Sequence, residues 1–107
     1  MAMEDRREFA RKKRRFLIEF PLQGSNCTGF TYDISRTGIF VRSIRLPAPG
    51  TYLTANLHLT AGKRISVRGR VLRSHRVPPE LARIVPSGFS MSLVDVPEDY
   101  FQFLSSL

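Results

Sequence analysis

Short stretches in which apolar and polar residues alternate restrict the folds open to this chain more than any other feature. Successive side chains of a strand point to opposite faces, so strict alternation predicts half-buried strands. The alternating or β-prone stretches are residues 16–22, 28–34, 39–44, 53–60, 65–73 and 89–93. Turn-forming residues separate most of them at short spacing, which is typical of a small antiparallel barrel of about six strands.

Turn residues and the C-terminal stretch complete the predicted architecture. Residues 35–38 have Ser first and Gly fourth, which fits a type I or bulged turn within a hairpin, and residues 61–64 predict a second hairpin turn. An irregular connection follows from residue 78 to about 87. Residues 95–98 combine a capping aspartate, Asp95, with an early proline and an early acid, as at a helix start. A C-terminal helix should then pack on the sheet through Tyr100, Phe101, Phe103, Leu104 and Leu107.

Length and composition fit one globular domain. The chain has 107 residues, of which 42% are hydrophobic and 24% charged, ordinary values that argue against a disordered chain. No apolar run approaches the roughly 18 residues that cross a bilayer. The single cysteine, Cys27, excludes an internal disulfide and fits a reducing compartment, so we expect a cytoplasmic protein. We divide the chain into a flexible basic arm, residues 1–15, and a barrel with its C-terminal helix, residues 16–107.

The charge is strongly positive and concentrated at the front of the chain. Seventeen Lys and Arg against nine Asp and Glu give a net charge of +8. Arginine suits bidentate recognition of phosphates and of guanine edges. We therefore expect an anionic partner: a nucleotide, a nucleic acid, an acidic protein or an anionic lipid surface. The basic residues of the arm are Arg6, Arg7, Arg11, Lys12, Lys13, Arg14 and Arg15.

Residues suited to catalysis or to metal binding are few. The two histidines, His58 and His75, lie on polar strand positions or near a strand end, and no Gly-x-Ser-x-Gly nucleophile elbow is present. One cysteine and two isolated histidines match no familiar zinc spacing, and neither a calcium loop nor a Walker-type phosphate loop occurs. We therefore expect no enzyme, no metal site and no resident cofactor.

Two short motifs stand out against this background. Arg7 and Arg11 have an Arg-x-x-x-Arg spacing, and Asp33 begins an Asp-x-Ser-x-x-Gly sequence at the predicted hairpin turn. Each is common alone, because basic arms are rich in arginine and because Asp and Ser often bond to their own backbone in turns. Arg11 and Arg15 have the same spacing, so the working arginine pair stays open. The order of the two motifs ahead of a small barrel is much more specific.

With these motifs the chain resembles the PilZ domain, the bacterial receptor module for cyclic di-GMP. The resemblance runs from about residue 5 to 107, and is closest at residues 5–11, 32–41, 69–73 and 87–91. It implies a PilZ-like split barrel, mainly β, with six antiparallel strands and a C-terminal helix. It also implies a non-catalytic receptor that changes conformation on binding the second messenger and relays the signal to a partner protein.

The resemblance also implies residue roles that agree with the chemistry of the ligand. Cyclic di-GMP carries two phosphates and two guanines, which guanidinium groups and a carboxylate can recognise. In the family pattern Arg7 and Arg11 contact phosphate and guanine. Asp33 and Ser35 hold a guanine edge, and Gly38 keeps the turn open.

Further positions carry less specific expectations. In the family an arginine at the position of Arg6 accompanies binding of a stacked ligand dimer, so one or two ligands per chain are expected. Gly88 is a further candidate near the pocket, or else a strand glycine that allows barrel curvature. Arg68, Arg70 and Arg73 either line the ligand face or form a solvated strand face.

Two other functions remain open from the sequence. A small basic barrel can bind nucleic acid through aromatic platforms, and Phe30, Tyr32 and Phe40 are candidates for them, although hairpin packing explains these residues equally well. A PilZ-like adaptor could instead bind only a protein partner. Such a protein would be expected to lose the motif residues, and none is lost here.

Overall fold

A computed structural model describes residues 11–81, 83–84 and 86–107 of the chain. It confirms the predicted fold: six antiparallel strands form a closed barrel in the order β1-β2-β3-β6-β5-β4, followed by one C-terminal helix. Two short 3-10 segments, Thr60–Gly62 and Pro79–Leu81, lie in the connections. The elements are β1 (Leu17–Leu22), β2 (Ser25–Ile34), β3 (Gly38–Arg42), β4 (Tyr52–His58), β5 (Arg64–His75), β6 (Gly88–Asp95) and α1 (Glu98–Ser105).

Two strand boundaries differ from the predicted ones, one at a turn that is shorter than expected and one at a local side-chain hydrogen bond. β2 begins at Ser25 instead of residue 28, because the β1–β2 turn needs only Gln23 and Gly24, both with positive φ (51° and 79°). β3 ends at Arg42 because the hydroxyl of Ser43 bonds the backbone of Arg45, donating to its carbonyl at 2.7 Å and accepting from its N–H at 3.2 Å. Such a local bond competes with the sheet ladder.

The core fills the barrel with the inward half of each alternating strand. Two phenylalanines from opposite sides, Phe20 on β1 and Phe89 on β6, meet edge to face with ring centroids 5.1 Å apart. Cys27 is also buried and faces this core from β2. The fully buried apolar side chains of the strands show how closely burial follows alternation: Ile18, Phe20, Ile34, Ile39, Val41, Ala55, Leu57, Val67, Val71, Phe89 and Met91.

Helix α1 packs on the barrel through one face, as predicted. Tyr100 and Leu104 are buried, and Phe103 meets Phe16 edge to face at 5.1 Å between ring centroids. The predicted cap is wrong, since Asp95 ends β6 and Pro97 takes the N-cap position with no side-chain hydrogen bond. The helix start relies instead on two acids in its first turn, which interact favourably with the helix dipole.

The chain enters β1 along the side of β2. Lys12 exchanges two backbone hydrogen bonds with Ile34, of 2.8 and 2.9 Å. The buried hydroxyl of Thr31 donates to the carbonyl of Arg14 at 2.6 Å and accepts from the N–H of Phe16 at 2.8 Å. Residues 11–15 therefore lie against the barrel. Residues 1–10 are outside the described part of the chain, so an arm that is flexible up to residue 15 stays a prediction.

Candidate functional site

The turn between β2 and β3 is closed by the buried side chain of Ser35. Its hydroxyl accepts hydrogen bonds from the N–H groups of Thr37 (3.3 Å) and Gly38 (3.1 Å) and donates to the carbonyl of Gly38 (3.2 Å). The backbone N–H of Ser35 bonds the same carbonyl at 2.9 Å. The hydroxyl thus shapes the turn that holds the motif, and a direct bond from it to a bound base stays a prediction.

Helix α1 supports this turn from the barrel side. The hydroxyl of Tyr100 donates to the carbonyl of Ser35 at 2.6 Å, and the Tyr100 side chain is fully buried. Burial raises the pKa of Tyr100 well above its usual value, so its hydroxyl stays protonated as the donor. The same helix makes a second contact with the turn, since the guanidinium of Arg36 lies 4.5 Å from the ring centroid of Phe101.

The sequence pattern predicted only a packing role for Tyr100, so its contact with the motif was not predicted. A signal was available: Tyr100 is the one tyrosine on a helix face of phenylalanine and leucine, and a buried phenol needs a hydrogen-bond partner. The identity of that partner was not readable from the sequence, because Ser35 lies 65 positions away.

The two sequence motifs meet in an ion pair between Arg11 and Asp33. The Nε and Nη2 atoms of Arg11 lie 2.8 and 2.5 Å from Oδ1 of Asp33. A register shift between Thr31 and Asp33 marks a β-bulge, and it leaves both Tyr32 and Asp33 partly exposed. The side chain of Arg11 is 44% exposed and that of Asp33 18%, so the pair is accessible to a ligand at the barrel surface.

Gly38 stands where β3, β6 and Arg11 converge. A β-carbon there would lie 3.0 Å from the carbonyl oxygen of Met91 and 3.5 Å from Nη1 of Arg11. Its φ is not positive, so the backbone conformation at this position is open to other residues, and a role for Gly38 in admitting a flat base stays a prediction. The carbonyl oxygen of Met91 leaves little room for a side chain at this position, which favours glycine.

Gly88 has a packing explanation of its own. A β-carbon there would fall 2.0 Å from the carbonyl oxygen of Val41, so the contact between β6 and β3 requires glycine. No ligand is needed to account for this residue. A role for Gly88 beside a ligand stays a prediction.

The outer face of β6 continues the surface beside Gly38. Ser92 pairs with Gly38 on one side and with Arg70 on the other, and Ser90 pairs with Arg73. Both serines are half-buried and both arginines are exposed. The small serine side chains of β6 thus form a surface beside Gly38, which we call the serine floor, and it borders two arginine positions of β5. The serines were not predicted and these arginines stayed undecided, because alternation does not give the order of the strands. Strict alternation from Val71 would also turn Arg73 inward, and a register shift between the two residues turns it outward.

Arg15 lies in a different place from Arg11. Its guanidinium stacks on Phe30 at 4.0 Å from the ring centroid, while Arg11 bonds Asp33. The described residues therefore bring Arg11, Asp33, Ser35 and Gly38 together without Arg15. The other expected site residues, Arg6 and Arg7, lie outside the described part of the chain.

The two histidines make no contact with this site's ion pair. Nε2 of His58 lies 2.6 Å from Oε1 of Glu19, and this hydrogen bond lowers the pKa of Glu19. The ring centroid of His75 is 5.8 Å from that of Phe40. Across residues 11–81, 83–84 and 86–107, no three metal-ligating side chains gather into a possible metal site. In that same part of the chain, no helix has the length and apolar character needed to span a membrane.

Comparison with known proteins identifies a family and solved structures of similar fold. The family model described as the PilZ domain matches residues 5–102. The structure of the Bacillus subtilis inhibitor of motility (MotI/DgrA) superposes with a TM-score of 0.73 at 18% sequence identity. The match covers 94% of this chain and 48% of that one, so this chain spans about half the length of the motility inhibitor. No curated protein sequence matches the chain.

Proposed function

The chain belongs to the PilZ domain family, and we propose that it is a receptor for cyclic di-GMP that relays ligand binding to a partner protein. The observation that carries the proposal is the meeting of Arg11 and Asp33 above Gly38. Residues from two separate parts of the sequence meet at one accessible patch, where a guanidinium and a carboxylate lie beside a glycine.

Each part of the patch has a matching group in the ligand. The guanidinium of Arg11 can form charge-assisted bonds to a phosphate or bidentate bonds to the O6 and N7 atoms of guanine. The carboxylate of Asp33 accepts hydrogen bonds, as the N–H donors of a guanine edge require. Arg70 and Arg73 add positive charge along the serine floor, where the second phosphate of the ligand would find partners.

Ligand binding at Asp33 competes with its ion pair to Arg11. A surface ion pair contributes about 1 kcal/mol or less, so opening it costs little against the roughly 8 kcal/mol of a micromolar ligand. Arg11 directly precedes Lys12, whose backbone is bonded to Ile34 at the end of β2. A shift of Arg11 toward the ligand therefore acts on the segment that leads into the barrel, which supports a conformational response to binding.

Isothermal titration of the protein with cyclic di-GMP tests the proposal, with GTP and a DNA oligonucleotide as control ligands. Arg11→Ala should nearly abolish binding, and Asp33→Ala should weaken it by about 10- to 100-fold, the loss expected for one charge-assisted contact. Arg64→Ala is the matched control, because it removes the same charge from an exposed position on β5. Parent-like binding by both site variants would refute this site.

The same titration separates the roles of the remaining arginines. Arg7→Ala should weaken binding strongly while Arg15→Ala changes it little, which would make Arg7 and Arg11 the working pair. Arg6→Ala should reduce a stoichiometry near two ligands per chain to one. A parent stoichiometry of one would contradict the stacked dimer and leave the receptor function standing.

A further inference from the structure

A second surface, which we call the basic groove, lies across β2, β3 and the loop after β3. It is a depression of about 430 Å³ at the end of β3 away from Gly38. Neither the Arg7–Arg11 pair nor the Asp33–Gly38 motif contributes a residue to it. Its lining residues are Arg15, Phe30, Arg42, Ser43, Ile44 and Ser87.

Exposed apolar side chains collect at this groove. Ile44 is 81% exposed and Phe30 37% exposed. Leu17, the partner of Phe30 across β1 and β2, is 36% exposed on the same outer face. Large apolar side chains grouped at a surface depression mark an interaction site more often than scattered ones do.

The charge around the groove is uniformly positive. Lys13 and Arg14 line an adjoining depression of about 210 Å³, which shares Arg15 and Arg42 with the groove. No aspartate or glutamate lies among the described residues that line either depression. The stacking of Arg15 on Phe30 holds its guanidinium in place, which reduces the entropy lost when it binds an anion.

We propose that the basic groove binds an extended acidic segment of a partner protein, with an apolar side chain of that segment between Phe30 and Ile44. Carboxylates on either side of that side chain pair with Arg15 and Arg42. Peptide binding by the groove does not depend on the proposed receptor function. Only its role in passing the signal to the partner protein rests on that function. The segment from Arg11 to Arg15 links the two places, because its first residue bonds Asp33 and its last stacks on Phe30.

A peptide fits this surface better than a single-stranded nucleic acid does. Bases bind by stacking on aromatic faces. Here a cation already lies over each of the two outward-facing β2 rings: Arg15 lies over the exposed Phe30, and Lys13 lies 5.8 Å from the ring centroid of the partly exposed Tyr32. The exposed Ile44 beside Arg15 and Arg42 matches a peptide in which acidic residues flank a leucine.

Fluorescence anisotropy with a labelled peptide of alternating aspartate and leucine tests the proposal on the full chain. We expect the parent to bind it, and Ile44→Ser and Arg42→Gln each to bind at least about tenfold more weakly, as expected for loss of a central contact. Val94→Ser and Arg64→Gln are matched controls at exposed positions on other strands and should bind like the parent. Circular dichroism should show the same fold for all four variants.

Three outcomes would overturn the proposal. The first is no binding of the aspartate–leucine peptide to the parent, and the second is equal binding by the parent and by both groove variants. The third is a parent that binds phosphatidylglycerol vesicles or a thymidine oligonucleotide but not the peptide, together with groove variants that lose this binding. That result would assign the groove to a lipid or to a nucleic acid. Titration of the groove variants with cyclic di-GMP is expected to match the parent. A parent that binds the peptide but not cyclic di-GMP would refute the receptor function alone.

Discussion

Gly38 is the residue at which the smallest chemical change should have the clearest effect. In Gly38→Ala the new methyl group would stand 3.0 Å from the Met91 carbonyl oxygen and within contact distance of Arg11. We expect a loss of about 1–3 kcal/mol in the free energy of unfolding, as for other overpacked sites, measured by urea denaturation. We also expect weaker cyclic di-GMP binding, because the methyl group occupies the surface beside Arg11 and Asp33.

A second glycine separates these two effects. Gly62→Ala adds a methyl group in open space but at a positive φ of 75°, so it should lose stability without loss of ligand affinity. If Gly38→Ala binds cyclic di-GMP like the parent, the ligand does not lie against this glycine.

The motif residues divide into two kinds at this scale. Arg11 and Asp33 keep exposed charged atoms at the surface, where a ligand can reach them. Ser35 is 1% exposed, and its hydroxyl is engaged with the turn backbone. Arg11 and Asp33 are therefore accessible at the surface, whereas Ser35 stabilises the backbone of the turn.

At the scale of elements, helix α1 and the β2–β3 turn act on each other through Tyr100. Removal of its hydroxyl in Tyr100→Phe leaves the buried carbonyl of Ser35 without this donor, which should cost about 1–3 kcal/mol of unfolding free energy. Because the bond holds the motif turn, we expect weaker cyclic di-GMP binding as well. Urea denaturation and titration of the same variant measure the two effects.

Tyr52→Phe is the control for that substitution. Tyr52 is 55% exposed, so loss of its hydroxyl should change neither stability nor affinity measurably. Tyr100→Phe with reduced stability and unchanged affinity would limit Tyr100 to a structural role and separate the helix from ligand binding.

At the scale of the whole molecule, barrel closure assembles the candidate surface from strands that are distant in sequence. β6 lies between β3 and β5, so Ser92 reaches Gly38 on one side and Arg70 on the other. The net charge of +8 then attracts anions to the barrel in general. In the proposed receptor, selectivity for cyclic di-GMP would come from the arrangement of Arg11, Asp33 and the serine floor.

Salt dependence distinguishes selective binding from general attraction. When salt rises from about 50 to about 200 mM, affinity for a single-stranded oligonucleotide held through six phosphates should fall by a few hundredfold, since each contact releases counterions. Cyclic di-GMP has two phosphates and also makes guanine contacts, so its affinity should fall far less. Titrations with both ligands at the two salt concentrations measure the ratio. Equal loss for both would favour the nucleic-acid function.

The sequence by itself determined the elements and the main motif residues, because both are local properties. Alternation with period two sets which side chains of a strand can be buried, and Ile18, Val67 and Met91 all face the core as that pattern predicts. The motif spacing predicted one site for Arg11 and Asp33, and the ion pair places them together. The family resemblance rested on the same short stretches of sequence.

Only the tertiary structure decided which distant groups share a surface. Pairing order, the partner of the Tyr100 hydroxyl and the stacking of Arg15 on Phe30 depend on contacts between residues far apart in sequence. Alternation gives a side chain its face but not its neighbour on the next strand. The basic groove and the serine floor are made of such neighbours, and they exist only once the barrel has closed.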